Sequence, residues 1–258
     1  MSVPSSRAAI RFGYGLGRAD TPRSGAEALA RLDAPDRMPA RYPVLSGKKA
    51  LELIHRFRQG RKADRKGGQG ARKGLRAATA AAPGQMMARI LDSPDPLRER
   101  LTWFWADHFT AVARNAVFAP LGPAYIDEAI RPHVTGRFAD MLRATVTHPF
   151  MLFYLDQAGA VGPNSRAGRR KNRKGRGLSE NLAREVLELH TLGVLSSYGQ
   201  RDVEQLAELF TGLGIDYEAG FVFDPAAAEP GAELLLGQSF GGPHGRLEPI
   251  GEALELLA

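Results

Sequence analysis

The stretch Ser179-Glu-Asn-Leu-Ala-Arg-Glu-Val-Leu-Glu-Leu-His-Thr-Leu-Gly193 runs without proline or internal glycine, and its residue types recur at helical spacing. Asn181, Arg184, Glu185 and Glu188 fall at i, i+3, i+4 and i+7, so they project from one side of a helix. Leu182, Val186, Leu189 and Gly193 repeat that spacing on another side. An amide, a guanidinium and two carboxylates on one stripe form either a site or a solvated face. Function turns on which.

The same periodicity governs most of the chain. Ser46 precedes a helix over 48–57, with Leu51, Ile54 and His55 on one face. Ser93-Pro-Asp-Pro96 is a start signal, with proline in the first turn and an acid near the positive end of the dipole, and predicts a helix from Leu97 to about Phe109. Further helices are predicted over 121–131, 137–147 and 200–210, broken at His148-Pro149 before Met151–Leu155. After Gly212 the pattern alternates: Ile215–Phe223 reads as a hairpin around Glu218-Ala-Gly, and Glu233–Gly237 as a further strand. Residues 248–258 read as a helix without a stop signal, so the chain is expected to be incomplete at its C-terminus. The expected fold is mainly α: one compact multi-helix domain over 1–258 with a small β-hairpin region near 213–237.

Charge is unevenly divided. The net charge is +7, yet residues 56–76 hold nine basic groups against Asp64 alone, and residues 166–176 hold seven and no acid. Those two segments carry +15 together, leaving −8 on the remainder, which argues against a uniformly basic nucleic-acid-binding body. Large apolar residues are nearly absent between Gly60 and Gly74 and between Val161 and Gly177, so mobile basic loops are expected at about 58–74 and 160–178. Such loops serve either as solvated insertions or as contacts to phosphate on nucleic acid or anionic lipid. Neither holds an aromatic platform between its basic residues, so adhesion to an anionic partner would be non-specific and salt-sensitive.

Several chemistries drop out. Zero cysteines exclude disulfides, thiolate metal sites and a cysteine nucleophile. No apolar run reaches the roughly 18 residues of a membrane span. Met1–Arg7 lacks an apolar leader core, which points to the cytoplasm. The six histidines form no HxxxH or HExxH, so a metal site would have to be assembled across helices, and no cofactor is assigned. Phe12-Gly-Tyr-Gly-Leu-Gly17 departs from GxGxxG and reads as a glycine-rich turn, and no GxSxG elbow occurs.

In Leu101–Thr110, Trp103 precedes Asp107 and Phe104 precedes His108, each by four residues. A helix apolar around most of its circumference is expected to be buried, with Asp107 and His108 either satisfied in the core or set in a pocket. His190 lies near the apolar side of its own helix and reads as a satisfied core histidine.

Arg11-Phe-Gly-Tyr-Gly15, Phe104-Trp-Ala-Asp-His-Phe109, Leu152-Phe-Tyr-Leu-Asp156 and Glu180–Gly193, in that order, resemble the bacterial DUF1800 family. So do Asp202-Val, Thr211-Gly212 and the Phe223-Asp-Pro turn. The resemblance covers nearly the whole chain and implies a longer parent protein, periplasmic export and a protein partner, relatives lying beside sulfatase-like genes. It implies no chemistry. The expected function is an enzyme or cofactor-dependent protein with a polar pocket between helices 97–109 and 180–193. There Arg184 would pair with a carboxylate or anionic ligand, Glu185 or Glu188 would act as acid/base, and Asp107 with His108 would orient or shuttle a proton, Asn181 sharing the stripe. The alternative is a non-catalytic scaffold or binding protein whose stripe locks two helices together while the basic loops contact anionic partners.

Overall fold

The computed structural model describes residues 5–15, 21–63, 68–170 and 177–258. Its first half is helical: α1 (Ser5–Phe12), α2 (Gly25–Leu32), α3 (Met38–Arg41), α4 (Gly47–Ala63), α5 (Gln69–Asp92) and α6 (Pro96–His108). Next, α7 (Leu121–Tyr125) passes without a break into a π turn at Ile126–Ile130 and a 3-10 turn at Arg131–His133. Then come α8 (Phe138–Thr147), α9 (Pro149–Tyr154), α10 (Asn181–Glu185), which continues as a second π turn at Val186–His190, and α11 (Gln200–Leu209). Strands β1 (Leu213–Asp216) and β2 (Gly220–Phe223) pair antiparallel, as do β3 (Gly231–Leu235) and β4 (Gln238–Gly242), before α12 (Glu248–Leu257). The fold is mainly α, with the β excursion split into two hairpins and carried to Gly242 rather than ending near 237.

Start signals act as chemistry dictates. The Asp95 side chain accepts from the Arg98 N–H at 3.1 Å with Pro96 opening α6, and the His148 Nδ1 accepts from the Phe150 N–H at 3.1 Å ahead of α9. One hydrophobic cluster then gathers Leu51 and Ile54 of α4, Leu121, Leu142, Val146, Met151 and Leu152, Leu182, Val186 and Leu187, Leu206 of α11 and Leu254 of α12. Gly212 closes the chain onto this core. Its φ is +88°, and an added Cβ would lie 2.9 Å from the Asp224 carbonyl oxygen, so only glycine fits.

The basic stretch expected as a loop at 58–74 is instead helical on both sides of residues 64–67, which fall outside the described residues. The apolar stripe Ala50, Leu51 and Ile54 seats α4, which runs on to Ala63. Helix α5 has few apolar residues to bury, and Ala77, Ala78, Ala80, Ala81 and Ala82 stabilise it by propensity instead. In the second basic segment, Val161 and Ala167 are buried against Ala227, and Ala167 N–H donates to the Ala226 carbonyl at 2.7 Å. Lys171–Arg176 fall outside the described residues.

Candidate functional site

The polar stripe folds into a local network. Arg184 donates from Nη1 to Glu188 Oε1 at 3.1 Å and from Nη2 to Glu180 Oε2 at 2.9 Å and to Gln200 Oε1 at 3.0 Å. Gln200 Nε2 donates in turn to Glu180 Oε2 at 3.0 Å, so α10 is tied to the start of α11. Glu188, then Glu180, hold the guanidinium above its ordinary pKa. Asn181 Nδ2 donates away from this network, to the Leu155 carbonyl at 3.4 Å. Glu185 is half-buried with no ion pair among the described residues; burial, then the charge of Glu188, push its carboxyl upward.

The second π turn explains why helical counting fails beyond Glu185. An i→i+5 turn inserts one residue, and the Thr191 hydroxyl and the Leu192 N–H bond back to the carbonyls of Val186 (2.7 Å) and Leu187 (3.1 Å), both five residues earlier. Leu189, counted with the apolar side, therefore turns outward at 57% exposure, while Leu187 and His190 turn into the core. His190 is buried as expected, and its Nδ1 has no hydrogen-bond partner among the described residues; burial followed by the neighbouring His108 pushes its pKa down to about 4.

Helix α6 reverses the expected burial. Pro96, Arg98, Glu99 and Thr102 are its buried residues, while Trp103 and Phe104 are exposed at 37% and 60%. Asp107 is exposed as well. His108 is half-buried among Trp105, Phe109 and Phe138, and its Nε2–H donates to the His190 carbonyl at 3.0 Å. The two helices singled out by sequence thus meet end to end through a backbone carbonyl. Among the described residues no hydrogen bond joins Asp107 or His108 to Arg184, Glu185 or Glu188.

What turns α6 round is a buried ion network that sequence reasoning missed. Arg131 reaches Glu99 from both Nη atoms and Asp36 from Nη1 at 2.8 Å. Arg89 reaches Asp127 at 2.5 and 2.9 Å and the Tyr42 carbonyl at 2.9 and 2.7 Å. Arg98 pairs with Asp95 at 3.0 Å. Burial opposes the charge on Arg131, yet Glu99 and Asp36 outweigh it and raise its pKa. Beside it, Glu128 accepts from the Gly47 N–H at 2.8 Å and faces His148 Nε2 at 3.3 Å. Since His148 Nδ1 already accepts from Phe150, Nε2 carries the proton that is donated. An added Cβ on Gly47 would lie 2.6 Å from Glu128 Oε2, so a side chain there would displace this carboxylate. The one available signal was the run of charges Arg89, Asp92, Asp95, Arg98 and Glu99 on and around the proline-rich turn Ser93–Pro96.

The basic segment 56–76 meets a different environment. Its Arg58, Arg61, Lys62, Arg72 and Arg76 line a cavity of about 1030 Å³, with His55, Phe57, Phe118 and Tyr217 in the walls. None of the described residues lining it is an aspartate or glutamate. Beside the segment's own Phe57, aromatic rings are supplied by distant chain: Phe118 from the 115–118 turn and Tyr217 from the β1–β2 turn, where Asp216 Oδ1 accepts from the N–H groups of Glu218 and Ala219, each at 2.8 Å. No group of metal-binding side chains occurs among the described residues, and no helix among them is long and apolar enough to cross a membrane.

No curated protein and no solved structure matches the chain. A protein-family model described as a protein of unknown function, DUF1800, matches residues 7–258. With its match spanning nearly every residue, the chain belongs to the DUF1800 family.

Proposed function

We propose that the chain is a non-catalytic binding protein that takes an anionic partner on its basic α4–α5 face, while the Glu180–Glu188 stripe fastens α10 to α11. The observation that carries this reading is a contrast in how positive charge is compensated. Arg184 is held by two carboxylates and an amide oxygen, whereas five cations line the α4–α5 cavity with no carboxylate among its described lining. Uncompensated positive potential of this kind attracts anions and speeds their capture.

A second reading keeps the stripe as a catalytic centre, with Asp107, His108, Asn181, Arg184, Glu185 and Glu188 as its groups. It is favoured at one point: Glu185 is half-buried and its raised carboxyl suits a general acid. The pair of variants Glu185→Gln and Glu188→Gln separates the two. Under the binding reading both retain anion-induced stabilisation of the fold, and Glu188→Gln costs roughly 0.2–1 kcal/mol because its pair with Arg184 is partly exposed. Abolition of anion-induced stabilisation by either change would sink the binding reading and favour the catalytic one.

A further inference from the structure

We infer that the cleft between α4 and α5 is built for a compact anion carrying several closely spaced phosphate groups. The inference rests on the anion-binding reading above and names the ligand class that the cleft would take.

Count and placement of charge come first. Arg58, Arg61 and Lys62 sit near the end of α4, Arg72 and Arg76 on the early turns of α5, and all five side chains are exposed to the cavity's solvent. Part of this charge has a local use, because Arg61 and Lys62 lie where cations offset the negative end of the α4 dipole. Arg72 and Arg76 have no such use. Arg72 stands in the first turn of α5, where a basic residue is unfavourable on its own, and Arg76 follows one turn later on the same side. Cations set against a helix N-terminus are tolerated where an anion is shared between them, and Gly68 and Gln69 at the start of α5 line the same cavity.

The aromatic residues decide between phosphate and nucleobase. The Arg58 guanidinium lies 5.2 Å from the Phe118 ring centre and 5.3 Å from that of Tyr217, whose hydroxyl accepts a hydrogen bond from it. Arg61 lies 5.8 Å from the Phe57 ring. Each of these rings therefore already carries a guanidinium, and His55 packs on Tyr217 at 5.3 Å. They orient cations, which lowers the ordering cost of a bidentate grip on phosphate. Phe118 lies between Arg58 and Phe153, and Tyr217 meets both Arg58 and His55, so these two rings offer little to the base stacking that single-strand binders depend on. With no carboxylate in the described lining to repel it, a ligand bearing three or more phosphate charges matches the five cations.

The test is calorimetric titration of the full chain at low salt with inorganic tripolyphosphate, orthophosphate and a single-stranded oligonucleotide. Wild-type protein is expected to bind tripolyphosphate and to favour it over both other probes. The double variant Arg72→Gln/Arg76→Gln should weaken that binding about tenfold or more, since each charge-assisted contact to phosphate is strong. Arg56→Gln/Lys73→Gln removes the same charge from the same segment outside the cavity lining, and should change affinity less than about twofold. Arg61→Gln alone should give a smaller loss of the same sign. Equal losses from the two double variants, with binding retained, would overturn the cleft while leaving the anion-binding reading standing. Tighter binding of the oligonucleotide through Arg72 and Arg76 would replace the ligand class with nucleic acid. Absence of binding to any of the three probes would sink both inferences.

Discussion

Glu99 and Arg131 form a two-pronged ion pair at 3.0 and 2.5 Å in the interior, with Glu99 0% and Arg131 4% exposed. It joins α6 to the end of the segment that begins as α7. The pair accounts for the burial of α6 on its charged side, because a guanidinium and a carboxylate taken out of water need each other more than two aromatic rings need the core. Removing one partner strands the other.

Glu99→Gln should therefore cost about 3–5 kcal/mol in chemical denaturation, despite its near-identical shape. Asp36 still touches Arg131, so the lower end of that range is expected. The double variant Glu99→Leu/Arg131→Met should be less destabilised than the sum of its single changes. Additive losses would show that the pair is not coupled.

His190 should remain neutral well below the usual histidine range. Its folded pKa of about 4 lies under the ordinary 6.5, so its contribution to stability is full above about 6.5 and is lost as pH falls toward 4. Nuclear magnetic resonance of the imidazole should show no titration between pH 8 and roughly 5. A midpoint near 6.5 would mean that the ring is not enclosed as the structure places it.

Glu233 should act with the opposite sign. Burial, aided by the charges of Glu208 and Glu229, pushes its carboxyl from 4.5 up to about 7. Folding then favours the protonated acid, so its contribution is full below about 4.5 and is lost as pH rises toward 7. Glu233→Gln should flatten the decline in melting temperature across that window. An unchanged pH profile would contradict the assignment.

Much of the helical order was legible because apolar spacing and start signals are local: Asp95-Pro96 and the 137–147 stripe each lead to the helix observed, while His148-Pro149, read as a break, also starts the next helix. Helix α5 was not, because alanine propensity leaves no periodic stripe, and Arg/Lys-rich flanks resemble a loop. Within the candidate site, the Arg184–Glu188 pair was readable as part of a stripe and His190 as a core residue, whereas the outward turn of Leu189 depends on a π turn that moves the register by one residue. The aromatic walls of the α4–α5 cavity were invisible to local reading. Phe118 and Tyr217 lie some 60 and 159 residues from Arg58 in sequence, and only tertiary packing brings all three together.

The central claim, that the chain holds its anionic partner by uncompensated charge, is tested most directly by the salt dependence of tripolyphosphate binding to the wild-type chain. Between about 50 and about 200 mM salt, affinity should fall about tenfold or more, because screening and released counterions both weaken a contact made by several cations. Binding whose affinity is unchanged over that range would contradict the account.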